Sequence, residues 1–249
     1  MNIIYDSSTK TFHLHNKNMS YVMKVIKDGY LSHLYWGKKI NKYNESNPIG
    51  FYDRGFCPNP DPTDRTFSLD TIPHEYSAYG NGDFRTPAYQ VEQENGSRVT
   101  DIRYKGHRIY DGKPSLDGLP STYIEDDLEA KTLEIVMEDK LIGLEVTLIY
   151  TIYRDMDVIA RSVKFKNYGK ESLTLERALS ASVDFRDKDF ELITLYGAHT
   201  NEKNIARRPI IFGIQMVESS RGASSPQQAP FIALVRKSTD EDHGEVYSF

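Results

Sequence analysis

The sequence contains a single cysteine, Cys57, so no disulfide can form within its 249 residues. Disulfides persist mainly in oxidising compartments, and their exclusion here favours a reducing one. Residues 1–11 lack the basic and apolar regions of a secretory signal. No apolar run approaches the ~20 residues that a membrane-spanning helix needs. We therefore expect a soluble, cytoplasmic protein with no membrane partner.

Long blocks of one charge are also missing. The 31 basic and 36 acidic residues give a formal net charge of -5, and the two signs are interspersed. A nucleic-acid-binding surface needs a basic stripe, and the pair Arg207-Arg208 is too short to form one. Disordered chains are poor in aromatic residues, which make up 12% of this sequence. The composition thus predicts a globular protein with no nucleic-acid partner.

Amphipathic helical periodicity is absent as well, whereas alternation of apolar and polar residues recurs along the chain. Residues 1–43 predict a β-meander with a hairpin turn at Asp28-Gly29. Residues 144–153 place apolar side chains on one face at every second position. Further strands are expected at 99–110, 132–138, 158–166, 173–183, 190–196, 210–217 and 230–235, the last one buried on both faces. This pattern predicts an all-β fold, a sandwich of two large antiparallel sheets.

The composition of residues 44–90 differs from that of the rest of the chain. Six prolines remove ladder donors, so this stretch cannot be a continuous central strand. It is also rich in Phe, Tyr and Arg, unlike a flexible linker. We expect a long loop that packing holds in order, and such loops often carry function.

Aromatic and charged side chains alternate within this loop, at residues 51–56 and 65–67. Aromatic rings can cover the apolar face of a pyranose, while Asp and Arg can bond its hydroxyls. The loop is therefore a candidate sugar site. The alternative is that these rings only pack the loop onto the sandwich or onto a neighbouring subunit.

Acidic residues in the same loop admit two interpretations. A pair of carboxylates about 5 Å apart serves a retaining glycosidase, and a wider pair serves an inverting one. Alternatively, acids in a Gly- and Pro-rich loop cap turns through their side chains. The residues concerned are Asp53, Asp61, Asp64, Asp70, Glu75 and Asp83.

Motifs for metals, cofactors and nucleophiles are weak. His13 and His15 share one strand face, which can chelate a metal but more often presents two surface side chains. Asn81-Gly82 indicates a tight turn, and no βαβ unit surrounds it as a dinucleotide fingerprint requires. Cys57 is expected to be an inert, buried thiol. The run 219–225 is expected to be a turn in which serines bond the backbone. We predict no metal and no cofactor.

Several segments resemble the N-terminal domain of family 36 α-galactosidases. The most specific is the stretch from Pro73 to Pro87, PHEYSAYGNGDFRTP. The others are GYLSHLYWGK at 29–38, LYGAH at 195–199, SSRGASS at 219–225 and PFIAL at 230–234. One departure is Pro226, where the family usually has a histidine after the serine pair.

The resemblance implies a β-supersandwich, similar to galactose mutarotases, that occupies residues 1–249 as a single domain. It implies that a catalytic (β/α)8 barrel and a C-terminal β domain follow, and that the barrel holds both catalytic aspartates of a retaining mechanism. No catalytic residue is then expected in this chain. The implied substrates are terminal α-galactosides such as melibiose and raffinose.

Bacterial members of this family are often tetramers, in which a loop after the first strands narrows a neighbour's active site. By position, the substrate-binding candidates on that loop are Tyr52, Asp53, Phe56 and Arg65. Two other functions stay open, a free-standing carbohydrate-binding module and a sugar mutarotase. A mutarotase needs a histidine and a carboxylate for proton transfer. His74 with Glu75 or His199 are the candidates, although adjacent residues on an extended chain point apart.

Overall fold

The computed structural model describes residues 1–44, 49–53, 55–56, 59–118, 121–222 and 224–249. These residues form fourteen β-strands and two 3-10 turns, and the predicted all-β class is confirmed. Within the same ranges, no helix has the length and hydropathy of a membrane span. The chain divides into two compact units, Met1–Asp184 and Phe185–Phe249.

The strands of the first unit are β1 Asn2–Asp6, β2 Thr11–His15, β3 Met19–Ile26, β4 Tyr30–Lys38, β5 Tyr89–Gln93, β6 Arg103–Asp111, β7 Ala130–Asp139, β8 Leu144–Tyr153, β9 Ile159–Asn167 and β10 Leu173–Ala178. They form two four-stranded antiparallel sheets, in the orders β1-β2-β3-β4 and β6-β7-β8-β9, and a third sheet that pairs only β5 with β10. In the two larger sheets each strand pairs with the next one in sequence. Short turns join most of these neighbours, whereas an 18-residue connection, 112–129, joins β6 to β7.

One apolar core lies between the two larger sheets. Alternate side chains of β2 and β3 pack against alternate side chains of β7 and β8, because neighbouring residues of a strand point to opposite faces. Phe12, Leu133 and Leu148 are completely buried there. Burying each such side chain stabilises the fold by about 1.5–3 kcal/mol. The expected antiparallel sandwich is therefore present within this unit.

The tight turns predicted from Asn81-Gly82 and from Asp28-Gly29 are both present. Asn81 and Gly82 both have positive φ, at 55° and 82°, and Asp83 N–H donates to Gly80 O at 3.1 Å. Two successive residues with positive φ define the turn type that Asn-Gly favours. At the β3–β4 hairpin, Gly29 has φ 114° and donates its N–H to Ile26 O.

The second unit is a single four-stranded antiparallel sheet in the order β12-β11-β13-β14. Its strands are β11 Glu191–Ala198, β12 Asn201–Pro209, β13 Ile232–Val235 and β14 Val246–Ser248. The predicted strand at 210–217 is wrong, and β12, which precedes it, was missed. A turn with Thr200 at φ 66° sets the β11–β12 register, so that Glu191 pairs with Pro209 and the pairing ends there.

Two further expectations need correction. The row at 173–183 is a strand only as far as Ala178, because its partner β5 is short and pairs Tyr89 with Ala178 as the last match. The strand at 230–235 is not buried on both faces. Ala233 and Val235 are buried, whereas Ile232 and Leu234 on the other face are only partly covered.

Candidate functional site

The proline-rich loop is fastened at its base by a small apolar cluster. Ile26 and Tyr30, which flank the β3–β4 turn, pack against Phe67, Leu69 and Ile72 at the end of the loop. A 3-10 turn at 69–71 closes the loop. The apolar residues of this cluster therefore hold the base of the loop, and the residues between them can be polar.

Lys27 joins the two arms of the loop to the β3–β4 turn. Its ammonium group pairs with the Asp64 carboxylate. It also lies 5.4 Å from the ring centroids of both Phe51 and Phe67. The hydrogen bond from Lys27 and those from Thr66 lower the pKa of Asp64 to about 2. Lys27 thus contacts Phe51 on one arm of the loop and Asp64 and Phe67 on the other.

Acidic side chains inside the loop cap turns, as the second interpretation expected. Asp61 Oδ1 accepts from Thr63 N–H at 2.8 Å and from the Thr63 hydroxyl at 2.6 Å. Asp64 Oδ1 accepts from Thr66 N–H at 3.0 Å and from its hydroxyl at 2.6 Å. These two carboxylates are therefore engaged in holding the backbone.

The four predicted site residues, Tyr52, Asp53, Phe56 and Arg65, are all exposed, and we call them the loop tip. Arg65 Nη2 lies 3.2 Å from Asp53 Oδ1, and both side chains are more than half exposed. Tyr52 is 56% exposed, and Phe56 is fully exposed on a backbone with φ 60°. The structure thus brings Asp53 and Arg65 together and presents two aromatic rings to solvent. Cys57, expected to be buried, lies outside the described residues.

A buried charged cluster lies between the two large sheets, and the sequence did not reveal it. Glu75 is completely buried. Arg161 Nη1 lies 3.1 Å from Glu75 Oε1, and His33 Nδ1 lies 3.2 Å from Oε2. The hydroxyls of Tyr21 and Tyr150 donate to Oε1 at 2.5 and 2.9 Å. We call these five residues the Glu75 cluster.

Opposing effects set the ionisation of this cluster. Burial raises the pKa of Glu75, but the Arg161 charge and the hydrogen bonds from His33 and Tyr21 together lower it below its ordinary value. Burial raises the pKa of Tyr21 and Tyr150 far above the usual range. Glu75 is therefore a carboxylate that two neutral phenols, one guanidinium and the His33 ring satisfy. The sequence of β9 contains one indication of this cluster, because Arg161 interrupts an otherwise apolar face.

A second buried group supports the end of the loop. Arg85 donates to Leu69 O at 2.8 Å and to Asp83 Oδ1 at 2.8 Å, and it also pairs with Asp184. His74 Nε2 lies 3.2 Å from Leu69 O and 3.6 Å from Asp83 Oδ2. Burial and the Arg85 charge lower the pKa of His74. These contacts position the 3-10 turn.

This geometry disfavours mutarotase chemistry. His74 and Glu75 point apart, toward Asp83 and His33 respectively, as expected for neighbours on an extended chain. Each of these four residues is at most 6% exposed, so a sugar cannot reach either pair. His199 is exposed, and no carboxylate in the described part of the chain pairs with it.

A groove of about 680 Å³ runs beside β6 and the β7–β8 turn. Four of its charged groups form two ion pairs. Arg103 pairs with Asp101 at 2.7 Å and stacks 3.8 Å from the Tyr30 ring, while Lys105 pairs with Glu138 at 2.9 Å. Unlike this groove, the loop presents the exposed aromatic rings of Tyr52 and Phe56, which can cover a pyranose, and this makes it the better candidate site.

Metal ligands do not converge in the described ranges. No group of three or more His, Cys, Asp or Glu side chains there could hold an ion. His13 and His15 have ring centroids 5.0 Å apart, but His13 Nε2 is bonded to the Ser20 hydroxyl at 2.9 Å.

Comparison with known proteins connects this fold to one enzyme family. The family model described as the glycosyl hydrolase family 36 N-terminal domain matches residues 29–249. The chain is 58% identical over 249 residues to α-galactosidase AgaA of Geobacillus stearothermophilus, covering 100% of this chain and 34% of that protein. It is 48% identical to α-galactosidase Mel36A of Lactobacillus acidophilus, covering 99% of this chain and 34% of the relative.

A solved structure gives the same result. The crystal structure of GH36 α-galactosidase AgaB from Geobacillus stearothermophilus superposes with a TM-score of 0.94 at 58% identity, over 100% of this chain and 34% of that one. The chain therefore spans about one third of the length of the proteins that it matches.

Proposed function

We propose that this chain, which belongs to the glycosyl hydrolase family 36 N-terminal domain family, is the non-catalytic β-sandwich part of an α-galactosidase. The enzyme would hydrolyse terminal α-galactosyl groups with retention. The observation that carries the proposal is 58% identity along all 249 residues to an α-galactosidase that is about three times as long. The single cysteine supports a cytoplasmic location.

The reaction itself belongs to the part of the enzyme outside this chain. A retaining glycosidase needs two carboxylates about 5 Å apart that face the substrate. In the described residues, Asp61 and Asp64 cap turns, and Glu75 and Asp83 are buried in ion pairs. We therefore assign catalysis to a following (β/α)8 barrel, with a C-terminal β domain beyond it. Residues 1–249 would act as one supporting domain.

The loop tip would form part of the rim of a substrate pocket. Tyr52 and Phe56 would cover the apolar face of a pyranose, while Asp53 and Arg65 would bond its hydroxyls. A homo-oligomer, such as a tetramer, would bring this tip to the active site of a neighbouring subunit. Oligosaccharides of the raffinose type are the proposed substrates, because a variant of the relative AgaA was crystallised with raffinose.

Assays of the full-length enzyme and of residues 1–249 with p-nitrophenyl α-galactoside test whether catalysis belongs to the part of the enzyme outside this chain. We expect turnover by the full-length enzyme and none by the 249-residue chain. Turnover by the short chain would refute a non-catalytic role, and an inactive full-length enzyme would refute the α-galactosidase assignment.

Variants of the loop tip test the rim. Phe56→Ser in the full-length enzyme should raise KM for raffinose by about tenfold, equivalent to ~1.4 kcal/mol of lost binding, with a small change in kcat. Tyr123→Ser is the matched control, because Tyr123 is 81% exposed and far along the chain from the loop. An unchanged KM for Phe56→Ser would refute the assignment of this residue.

A free-standing carbohydrate-binding module is the second candidate, and the exposure of Tyr52 and Phe56 favours it. Calorimetric titration of the 249-residue chain with galactose and raffinose separates the two functions. A saturable heat signal would support the module, and its absence would support a rim that needs the rest of the enzyme.

A further inference from the structure

An exposed apolar segment follows β12 in the second unit. Residues 210–217, IIFGIQMV, carry no charge. Phe212 is 98% exposed, Ile214 79%, Ile211 67% and Met216 57%. We call residues 210–217 the apolar segment.

The backbone of the apolar segment is also open. In the described parts of the chain it makes no hydrogen bond to another backbone group. Its hydrogen bonds are local, with Ile211 N–H donating to Gln215 Oε1 at 3.2 Å and Gln215 Nε2 donating to Pro209 O at 3.5 Å. One charged group lies nearby, since Lys188 Nζ is 5.9 Å from the centroid of the Phe212 ring. In a buried segment nearly all backbone N–H and C=O groups are hydrogen-bonded. The backbone groups of the apolar segment can therefore still bond a partner.

Single exposed apolar residues are common on protein surfaces, but a contiguous run of them marks an interaction site. A further exposed apolar side chain, Ile205 at 69%, lies on β12, separated from the apolar segment in sequence by Arg207 and Arg208. β12 is an edge strand of its sheet and pairs on one side only among the described residues. The apolar segment therefore follows directly on an open strand edge.

We propose that the apolar segment docks against the catalytic portion of the same polypeptide, an inference that rests on the proposed function. The matched α-galactosidases are about three times as long as this chain, so a large body of protein remains to be placed. The occupant should present an apolar surface, because the segment offers no charge for an ion pair.

The position of β14 favours the same polypeptide over a second copy. β14 and β12 are the two edges of one four-stranded sheet, and they lie three strand spacings apart, about 15 Å. Protein linked through β14 is therefore held close to the apolar segment at an effective concentration in the ~mM range. A second copy would have to compete with that concentration from free solution.

Hydrogen–deuterium exchange of the full-length enzyme and of residues 1–249 tests the docking. We expect amides 210–217 to exchange at least about tenfold more slowly in the full-length enzyme. Repeating the measurement at dilutions where light scattering shows a monomer identifies the occupant. Protection that persists in the monomer supports the proposal. Protection that disappears on dissociation assigns the surface to a second copy and overturns it, as does equally fast exchange in both proteins.

Substitutions give an independent measurement. Phe212→Ser combined with Ile214→Ser should lower the Tm of the full-length enzyme by several degrees and leave the urea midpoint of the 249-residue chain unchanged. Leu141→Ser is the matched control, because Leu141 is 94% exposed as a single apolar residue at the β7–β8 turn. An unchanged Tm of the full-length double variant would overturn the docking.

The two proposals fail separately. An active α-galactosidase with an unprotected apolar segment would refute only the docking. A protected segment in a full-length protein without activity on α-galactosides would refute only the proposed function.

Discussion

Replacing Arg161 by methionine should destabilise the sandwich strongly. The Arg161 side chain is 9% exposed, and its guanidinium lies 3.1 Å from a carboxylate that is fully buried. Methionine preserves most of the apolar stem but removes the guanidinium that faces the Glu75 carboxylate. Removing one partner of a buried pair in this way costs about 3–5 kcal/mol.

Unfolding by urea provides the assay, followed by the fluorescence of Trp36. Trp36 is the only tryptophan, and its ring centroid lies 6.1 Å from that of Tyr21 in the Glu75 cluster. Its signal therefore reports unfolding of the first unit. Arg108→Met is the matched control, because Arg108 pairs with Glu134 at the surface with a side chain 67% exposed. Such a surface pair contributes about 0–1 kcal/mol.

The free energies of unfolding of the native protein and of Arg161→Met should change with pH in opposite directions. In the native protein the pKa of Glu75 is lowered, so its contribution to stability is present above the unfolded pKa and is lost as the pH falls below about 4.5. In Arg161→Met, burial dominates and the pKa of Glu75 rises. The variant then loses stability as the pH rises through that pKa, so its deficit should be larger near pH ~7 than near pH ~5.

A double variant completes a double-mutant cycle for the pair of Glu75 and Arg161. Glu75→Gln with Arg161→Met removes both charges and should recover part of the loss, since a neutral replacement of a buried pair is often tolerated. A loss of under about 1 kcal/mol in Arg161→Met, equal to that of the Arg108 control, would refute the view that this ion pair is a major determinant of the fold.

Two further predictions follow from local geometry. Lys27→Met should speed tryptic cleavage within the loop several-fold, because it removes the ion pair to Asp64 and both ring contacts, whereas Lys17→Met should not. Gly143→Ala should lower the free energy of unfolding by about 1–3 kcal/mol, because the new Cβ would lie 2.5 Å from Gly169 Cα on a backbone with φ 69°. Gly96→Ala, at φ 79° with no atom within 4 Å, separates backbone strain from the clash and should cost less.

Local chemistry explains which strands the sequence revealed. β8 was predicted with its observed bounds, because its apolar side chains alternate over ten residues. The β3–β4 hairpin was predicted because glycine adopts positive φ there at low cost. Both signals are contained in a short stretch of chain.

β12 shows why other strands were missed. Its sequence, NEKNIARRP, is mostly polar and exposed, so it carries no apolar alternation. Pairing with β11 and the turn at Thr200 fix it as a strand. The apolar run at 210–217 gave the opposite error, since it has the composition of a strand but no partner strand among the described residues. Hydrophobicity predicts burial better than it predicts pairing.

The candidate site was predictable in composition but not in contacts. Aromatic and charged residues identified the loop as a candidate site, whereas the 3.2 Å contact between Asp53 and Arg65 was not predicted. The clamp by Lys27 and the Glu75 cluster join residues that are far apart in sequence, 37 positions for Lys27 and Asp64 and 75 for Glu75 and Tyr150. No local pattern encodes such pairs.

The Glu75 cluster also has a consequence for synthesis on the ribosome. Glu75 and Arg161 are 86 positions apart, so this carboxylate has no guanidinium beside it until β9 has left the exit tunnel. At about 5–20 residues per second, translation of that interval takes roughly 4–17 s. Throughout that time the nascent chain holds Glu75 without the arginine that pairs with it. The two sheets can therefore close over a paired Glu75 only after Arg161 has been synthesised.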